Sequence, residues 1–169
     1  GEGLGNKFLA NIRETDAIIH VLRCFENANI THVDGSINPV RDKETIDTEL
    51  QLKDLETVEQ RLPKVQKIST VDKNAVKLYE VMKIVKEHLE KGLNVRSLGL
   101  SDTEKELIYD MHLLTMKPVL YLCNVDESAV KVDNNYVKAL KESVKNENAH
   151  VLVLATAAEA DIAELETYE

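Results

Sequence analysis

The chain has 169 residues, 43% hydrophobic and 30% charged, with a net charge of −9, which suits a globular protein of medium size with room for a sizeable core. That charge excludes a sequence-independent nucleic-acid surface over most of the chain, because phosphate binding needs clustered Lys and Arg. No apolar run approaches the roughly 20 residues that cross a bilayer, and no signal-peptide pattern opens the chain, so the expected location is the cytoplasm.

Gly1–Gly5, GEGLG, reads as a glycine-rich loop, with Asn6 placed to cap a short helix to about Glu14 whose apolar face is Phe8, Leu9 and Ile12. No strand precedes that loop and no Lys-Ser/Thr follows it, so it is not a phosphate-binding loop. Asp16–Phe25, DAIIHVLRCF, is the near-continuous apolar run of a strand buried on both faces. Glu26–Asp42, with Gly35 and Pro39, reads as a loop.

From Glu44 to about Lys67 the period changes: Leu55, Val58, Leu62 and Val65 recur at helical spacing. Val71, Ala75, Leu78, Met82, Val85 and Leu89 form a second heptad stripe, and the two together predict an antiparallel helical hairpin of coiled-coil type. Pro63 is expected to kink or end the first of these helices, at about 3 kcal/mol if it is interior. The block from Arg41 to Lys91 holds 11 basic and 11 acidic residues, whereas from Ala158 onward there are five acids and no base.

Ser101 with Glu104 reads as a capping box opening a helix whose apolar face is Leu107, Ile108, Met111 and Leu114. Pro118 then opens a strand over Val119–Cys123. A helix over Asp133 to about Lys145, a strand over His150–Ala155 and a last turn near Ala160–Leu165 complete the series. The alternation predicts an α/β fold with a parallel sheet, the helical hairpin inserted between the first two strands. Cys24 and Cys123, inside apolar strands, are expected to be reduced, buried thiols. The five histidines (His20, His32, His88, His112, His150) show no metal-ligand spacing, so no metal site is expected.

The chemistry concentrates in KPVLYLCNVDE (Lys117–Glu127), an apolar strand running into an Asn with an acid three residues on. With GEGLGNKFLANIRETDAIIHVLRCF, NPVRDKETIDTELQLKDLETVEQR and VLVLATAAEADIAEL, it resembles the YchF subfamily of Obg-related GTPases, the Obg-like ATPases. The resemblance extends over essentially the whole chain, with its blocks in family order. It implies a partial P-loop NTPase sheet with an inserted helical arm: 1–42 and 101–169 as parts of the nucleotide domain, 43–100 as the coiled-coil insertion. It also implies that this sequence is a fragment, since the P-loop, first switch, DxxG segment and nucleic-acid-binding TGS domain of the family have no counterpart in it. On the same footing, the intact protein is expected to bind and hydrolyse ATP with Mg held by residues outside this chain, and to bind the ribosome. The fragment by itself is expected to be inactive, with no catalytic residue of its own.

In such a protein the base site would comprise Asn124, Val125 and Glu127, with Ala155, Thr156 and Ala157 in the place of the GTPase SAK loop. Guanine offers two parallel donors, N1–H and the exocyclic amine, that suit an Asp carboxylate. Adenine offers an acceptor at N1 and no amine at C2. Glu127, longer by one methylene, spoils the bidentate fit, and losing a charged hydrogen bond of about 1.5–3 kcal/mol removes roughly one to two decades of guanine affinity. In the second loop the Ser and Lys are gone, which leaves backbone amides and small side chains.

Two further expectations follow. Without a pairing partner, the edge of Asp16–Phe25 invites self-association. The alternative function is a non-enzymatic module that contacts RNA, ribosome or protein through the hairpin, with Lys73, Lys77, Lys83, Lys86 and Lys91 as its face. A receiver-type regulator is excluded by the lack of an acidic cluster at the first strand.

Overall fold

The computed structural model describes residues 5–26 and 36–157. Its elements are helix α1 (Asn6–Arg13), strand β1 (Ile18–Arg23), helices α2 (Pro39–Ser69), α3 (Lys73–Glu90) and α4 (Asp102–Ile108), strand β2 (Val119–Asn124), helix α5 (Asn135–Val144) and strand β3 (His150–Leu154). By packing, 1–18 with 45–118 form one compact unit, and 19–44 with 119–169 form a second.

The helical unit is built on the predicted stripes. Val58 and Val65 of α2 meet Val81, Met82, Val85 and Leu89 of α3 in one buried cluster, flanked by Leu55, Leu62 and Leu78. The connection of only three residues makes the pair antiparallel. Val71, the first residue of the predicted stripe, lies before α3, and Asp72 caps the helix, its carboxylate accepting the Asn74 N–H at 2.8 Å. The apolar seam extends beyond two helices, because Val95, Ile108, Met111 and Leu113 close it.

The expected capping box is present: Ser101 Oγ accepts the Glu104 N–H, and Glu104 accepts the Ser101 N–H. The helix that it opens is shorter than predicted, ending at Ile108 and passing through a 3₁₀ turn to His112 in the left-handed region at φ 48°. A second cluster sets Leu9 of α1 on Leu50 and Leu114, with Ile12 and Ile46 beside it. The helix α1 begins one residue earlier than a cap at Asn6 requires: Gly5 holds the cap position at φ 73°, where a glycine is favoured.

Two prolines act differently from expectation. Pro39 is the first residue of α2, not part of a loop: its fixed φ and missing N–H suit a first helical position, and Asn38 Oδ1 accepts the Arg41 N–H at 3.0 Å. Pro63 neither ends nor divides α2, which continues to Ser69. The carbonyl that its ring deprives of a partner is that of Glu59, and both residues are exposed, so water can take the lost bond.

Buried polar groups tie α2 to the loops of its unit. Gln51 donates to Asn94 Oδ1 at 2.8 Å, and Asn94 donates to Asp47 at 3.0 Å. Asp54 receives the N–H groups of Leu114 and Thr115 and the Thr115 hydroxyl at 2.7, 2.8 and 2.7 Å. The segment Leu114–Pro118 that leads into β2 is held in this way.

The second unit contains the sheet, in the order β1-β2-β3. β2 and β3 run parallel, with Leu120 opposite His150 and Asn124 opposite Leu154. β1 runs parallel to β2 as well: the Ile18 N–H donates to Pro118 O and the Cys24 N–H to Asn124 O, the same offset at both ends. The α/β class and the parallel sheet are as the sequence predicts. β1 is not buried on both faces, however. Leu22 and Cys24 are buried, but Ile19 and Val21 are 64% and 59% exposed. Buried Val137, Leu140 and Val144 of α5 belong to the same unit. So does an ion pair in which buried Lys43 meets half-buried Glu147, while the Tyr121 hydroxyl donates to the same carboxylate at 2.8 Å. The expected turn at 160–165 and most of the 26–42 loop lie outside the described residues, as does His32. Among the described residues no helix is long and apolar enough to cross a membrane.

Candidate functional site

In a parallel sheet the carboxyl ends of the strands lie side by side, and loops leaving them converge on one rim. Here the rim is stitched by backbone bonds: Cys24 N–H to Asn124 O at 2.8 Å and Val125 N–H to Leu154 O at 3.0 Å. Three segments therefore meet there, led by Cys24, Val125 and Ala155.

Asn124 is the last residue of β2, and its side chain is oriented by the neighbouring loop. Its Oδ1 accepts both the Thr156 N–H at 3.2 Å and the Thr156 hydroxyl at 2.9 Å. A backbone N–H can only donate, so the oxygen must face Thr156 and the Nδ2 group must point elsewhere. Among the described residues that Nδ2 makes no hydrogen bond.

Val125 and Ala155 are buried beneath the rim. Glu127 opens a short 3₁₀ turn, Glu127–Ala129, which Asp126 caps by accepting the Ala129 N–H at 3.1 Å; Ser128 Oγ donates to the same carboxylate. Glu127 itself is exposed, as are Thr156 and Ala157. Of the six residues picked from the sequence, the structure joins Asn124 directly to Thr156, and Val125 is bonded to the strand end that precedes Ala155.

Sequence reasoning assigned the 155–157 loop a backbone and shape role only. The Thr156 hydroxyl adds a side-chain contact from the middle position of the loop, one residue after the place of the lost Ser. It also missed Asn134, whose Nδ2 donates to Cys24 O at 2.7 Å while its Oδ1 caps α5 through the Val137 N–H at 3.0 Å. The signal was the Asp-Asn-Asn before an apolar-periodic run. Tyr136 donates to Glu26 at 2.7 Å and secures the same segment, and its hydroxyl pKa is raised by that carboxylate.

Cys24 and Cys123 are fully buried free thiols behind the rim. Contact with Cys123, then burial, pushes the Cys24 pKa up, so it stays a neutral thiol. Among the described residues no group of three or more His, Cys, Asp or Glu side chains could hold a metal ion. What the rim offers is a recognition surface: one fixed amide donor, backbone groups of two loops and an exposed carboxylate three residues on.

No family model matches the chain. It is 46% identical to a Bacillus subtilis protein named Ribosome-binding ATPase YchF, over 172 residues that cover all of this chain and 47% of that one. Proteins of the same name from Escherichia coli O157:H7 and Haemophilus influenzae are 46% and 45% identical over 170 residues, again across the whole chain and 47% of theirs. The chain thus spans about half the length of the curated relatives it matches. Among solved structures, one titled as the Schizosaccharomyces pombe YchF GTPase matches with a TM-score of 0.80 at 34% identity, over 94% of this chain and 45% of that one.

Proposed function

The chain belongs to the YchF family, and from that premise we propose that it carries the base-recognition side of an ATP site in a ribosome-associated nucleoside triphosphatase of the cytoplasm. The observation that carries this reading is the orientation of Asn124. With Oδ1 held by Thr156, the side chain presents a donor at the sheet rim, and a donor there suits a purine ring nitrogen. Val125 and the 155–157 loop supply backbone and small side chains against the ring.

Base preference is the finer part of the proposal. The relatives are named ATPases, while the matching solved structure is titled a GTPase. Glu127 supports ATP on this reading: a carboxylate one methylene longer than Asp is poorly placed to hold both guanine donors at once. Phosphate and Mg chemistry belongs to parts of the intact protein other than these six residues, and segment 43–100 acts as its helical insertion. The isolated chain is inactive on this reading.

The test is calorimetric titration with ATP and GTP of the chain and its Glu127→Asp variant. The chain should prefer ATP, and the variant should move toward GTP by about one to two decades. Tighter GTP binding by the unaltered chain, or no change on substitution, would refute the base assignment.

An interaction role through the helical hairpin is the second reading, favoured by its lysines. Two of the five are already engaged, however: Lys86 pairs with Glu59 and Glu90, and Lys83 lies over the Tyr79 ring at 5.0 Å. The mid-helix face of α3 is therefore the weaker part of that reading.

A further inference from the structure

The turn between α2 and α3 is a preformed structure with an unusual residue at its apex. The last carbonyls of α2 are satisfied locally: Ser69 Oγ donates to Gln66 O and Thr70 Oγ1 to Lys67 O, both at 2.7 Å, while the Val71 and Asp72 N–H groups donate to Ile68 O at 3.0 and 2.9 Å. Asp72 caps α3. With these groups engaged by neighbours in the chain, no apolar residue is needed at the apex, where exposed turns usually place a polar one. Instead Val71 stands there 87% exposed, with Ile68 50% exposed one turn before it and Val76 also outward.

Charge is concentrated at the same end. Between Gln60 and Tyr79 lie five basic residues and one acid, in a chain whose net charge is −9. Arg61 is paired with Asp110, and Lys77 lies near enough to Glu104 to lower its carboxyl pKa, after the larger effect of the Ser101 hydrogen bonds. Lys64, Lys67 and Lys73 are exposed and make no ion pair among the described residues. The one acid, Asp72, is occupied as a cap.

We propose that this tip is a docking knob for an acidic protein surface with a small apolar depression, in which Val71 and Ile68 seat and Lys64, Lys67 and Lys73 form the rim. An apolar centre inside a charged rim is how protein interfaces are built, and the rim charges steer encounter and fix register. The side chains suit RNA less well: the tip has no aromatic ring for a base to stack on and no unpaired Arg fork for phosphate. The inference rests on the ribosome reading above, which makes a ribosomal protein the partner.

The experiment uses the full chain and purified ribosomes in co-sedimentation, with Val71→p-benzoylphenylalanine for photo-crosslinking. The unaltered chain should pellet with ribosomes, and the crosslink should fall on a ribosomal protein with an acidic surface. Val71→Asp, and Lys64→Glu with Lys67→Glu and Lys73→Glu, should each weaken pelleting at least about tenfold with unchanged thermal melting. Pelleting that survives both variants, or a crosslink to ribosomal RNA or to a second copy of the chain, would overturn the knob and leave the ribosome reading standing. No pelleting of the unaltered chain would overturn both.

Discussion

Asp54→Ala probes a buried carboxylate of the helical unit that receives three hydrogen bonds. Asp54, Leu114 and Thr115 are all essentially inaccessible to solvent, so each donor that Asp54 receives would be stranded without water. An unsatisfied buried donor costs about 1–3 kcal/mol. The Thr115 hydroxyl can rotate, but the Leu114 and Thr115 N–H groups cannot, which gives about 2–6 kcal/mol before compensation. Burial is the largest influence on Asp54 and raises its pKa against the lowering by its three hydrogen bonds. Removing the carboxylate recovers part of that desolvation cost, so the expected net loss is about 3 kcal/mol. Against a domain stability of about 5–15 kcal/mol that is a large fraction. Asp54→Asn keeps one acceptor oxygen and should lose about half as much. Urea unfolding followed by circular dichroism, at an unchanged m-value, measures both. A loss under about 1 kcal/mol for the alanine variant, or equal losses for the two, would refute the role given to this network.

Lys43→Met removes the buried ammonium that meets the half-buried Glu147 carboxylate beside Tyr121 and should cost about 2–4 kcal/mol in the same unfolding assay. His88, whose Nε2 contacts Asn94 O at 3.1 Å and Ser97 Oγ at 2.8 Å, has its pKa lowered first by burial and then by Lys91, against the raising effect of Asn94. Below its ordinary pKa near 6.5 the unfolded chain takes up the proton first, so stability should fall as pH drops through that value, and His88→Gln should flatten the slope. Exposed Ile19 and Val21 on β1, the end strand of the described sheet, should make the chain self-associate with rising concentration. Sedimentation velocity of Ile19→Lys/Val21→Lys should give a monomer, and a clean monomer already in the unaltered chain would count against this.

Much of this fold could be read from local chemistry. The capping box at Ser101, the apolar stripe of α3 and the strand at Val119 each depend on neighbours in the chain, and local pattern suffices for such features. What escaped reading depends on the environment. Pro63 is tolerated because the carbonyl it deprives faces water, and Pro39 starts a helix because Asn38 caps it; neither fact is visible in a proline considered alone. The apolar run of β1 does not say which face is covered, and among the described residues one face is not. At the rim, the Asn and the acid three residues on could be picked out by spacing. The Thr156 contact that orients Asn124 could not, since it joins loops 32 residues apart.

The central claim is that the Asn124–Glu127 segment and the 155–157 loop read an adenine ring. Amide chemical-shift mapping of the ¹⁵N-labelled chain with ATP and with GTP tests it most directly. ATP should shift the amides of Val125, Glu127, Thr156 and Ala157 together, GTP should shift them less, and Asn124→Ala should abolish the response. Shifts confined to other parts of the chain, or an equal response to GTP at these four amides, would contradict it.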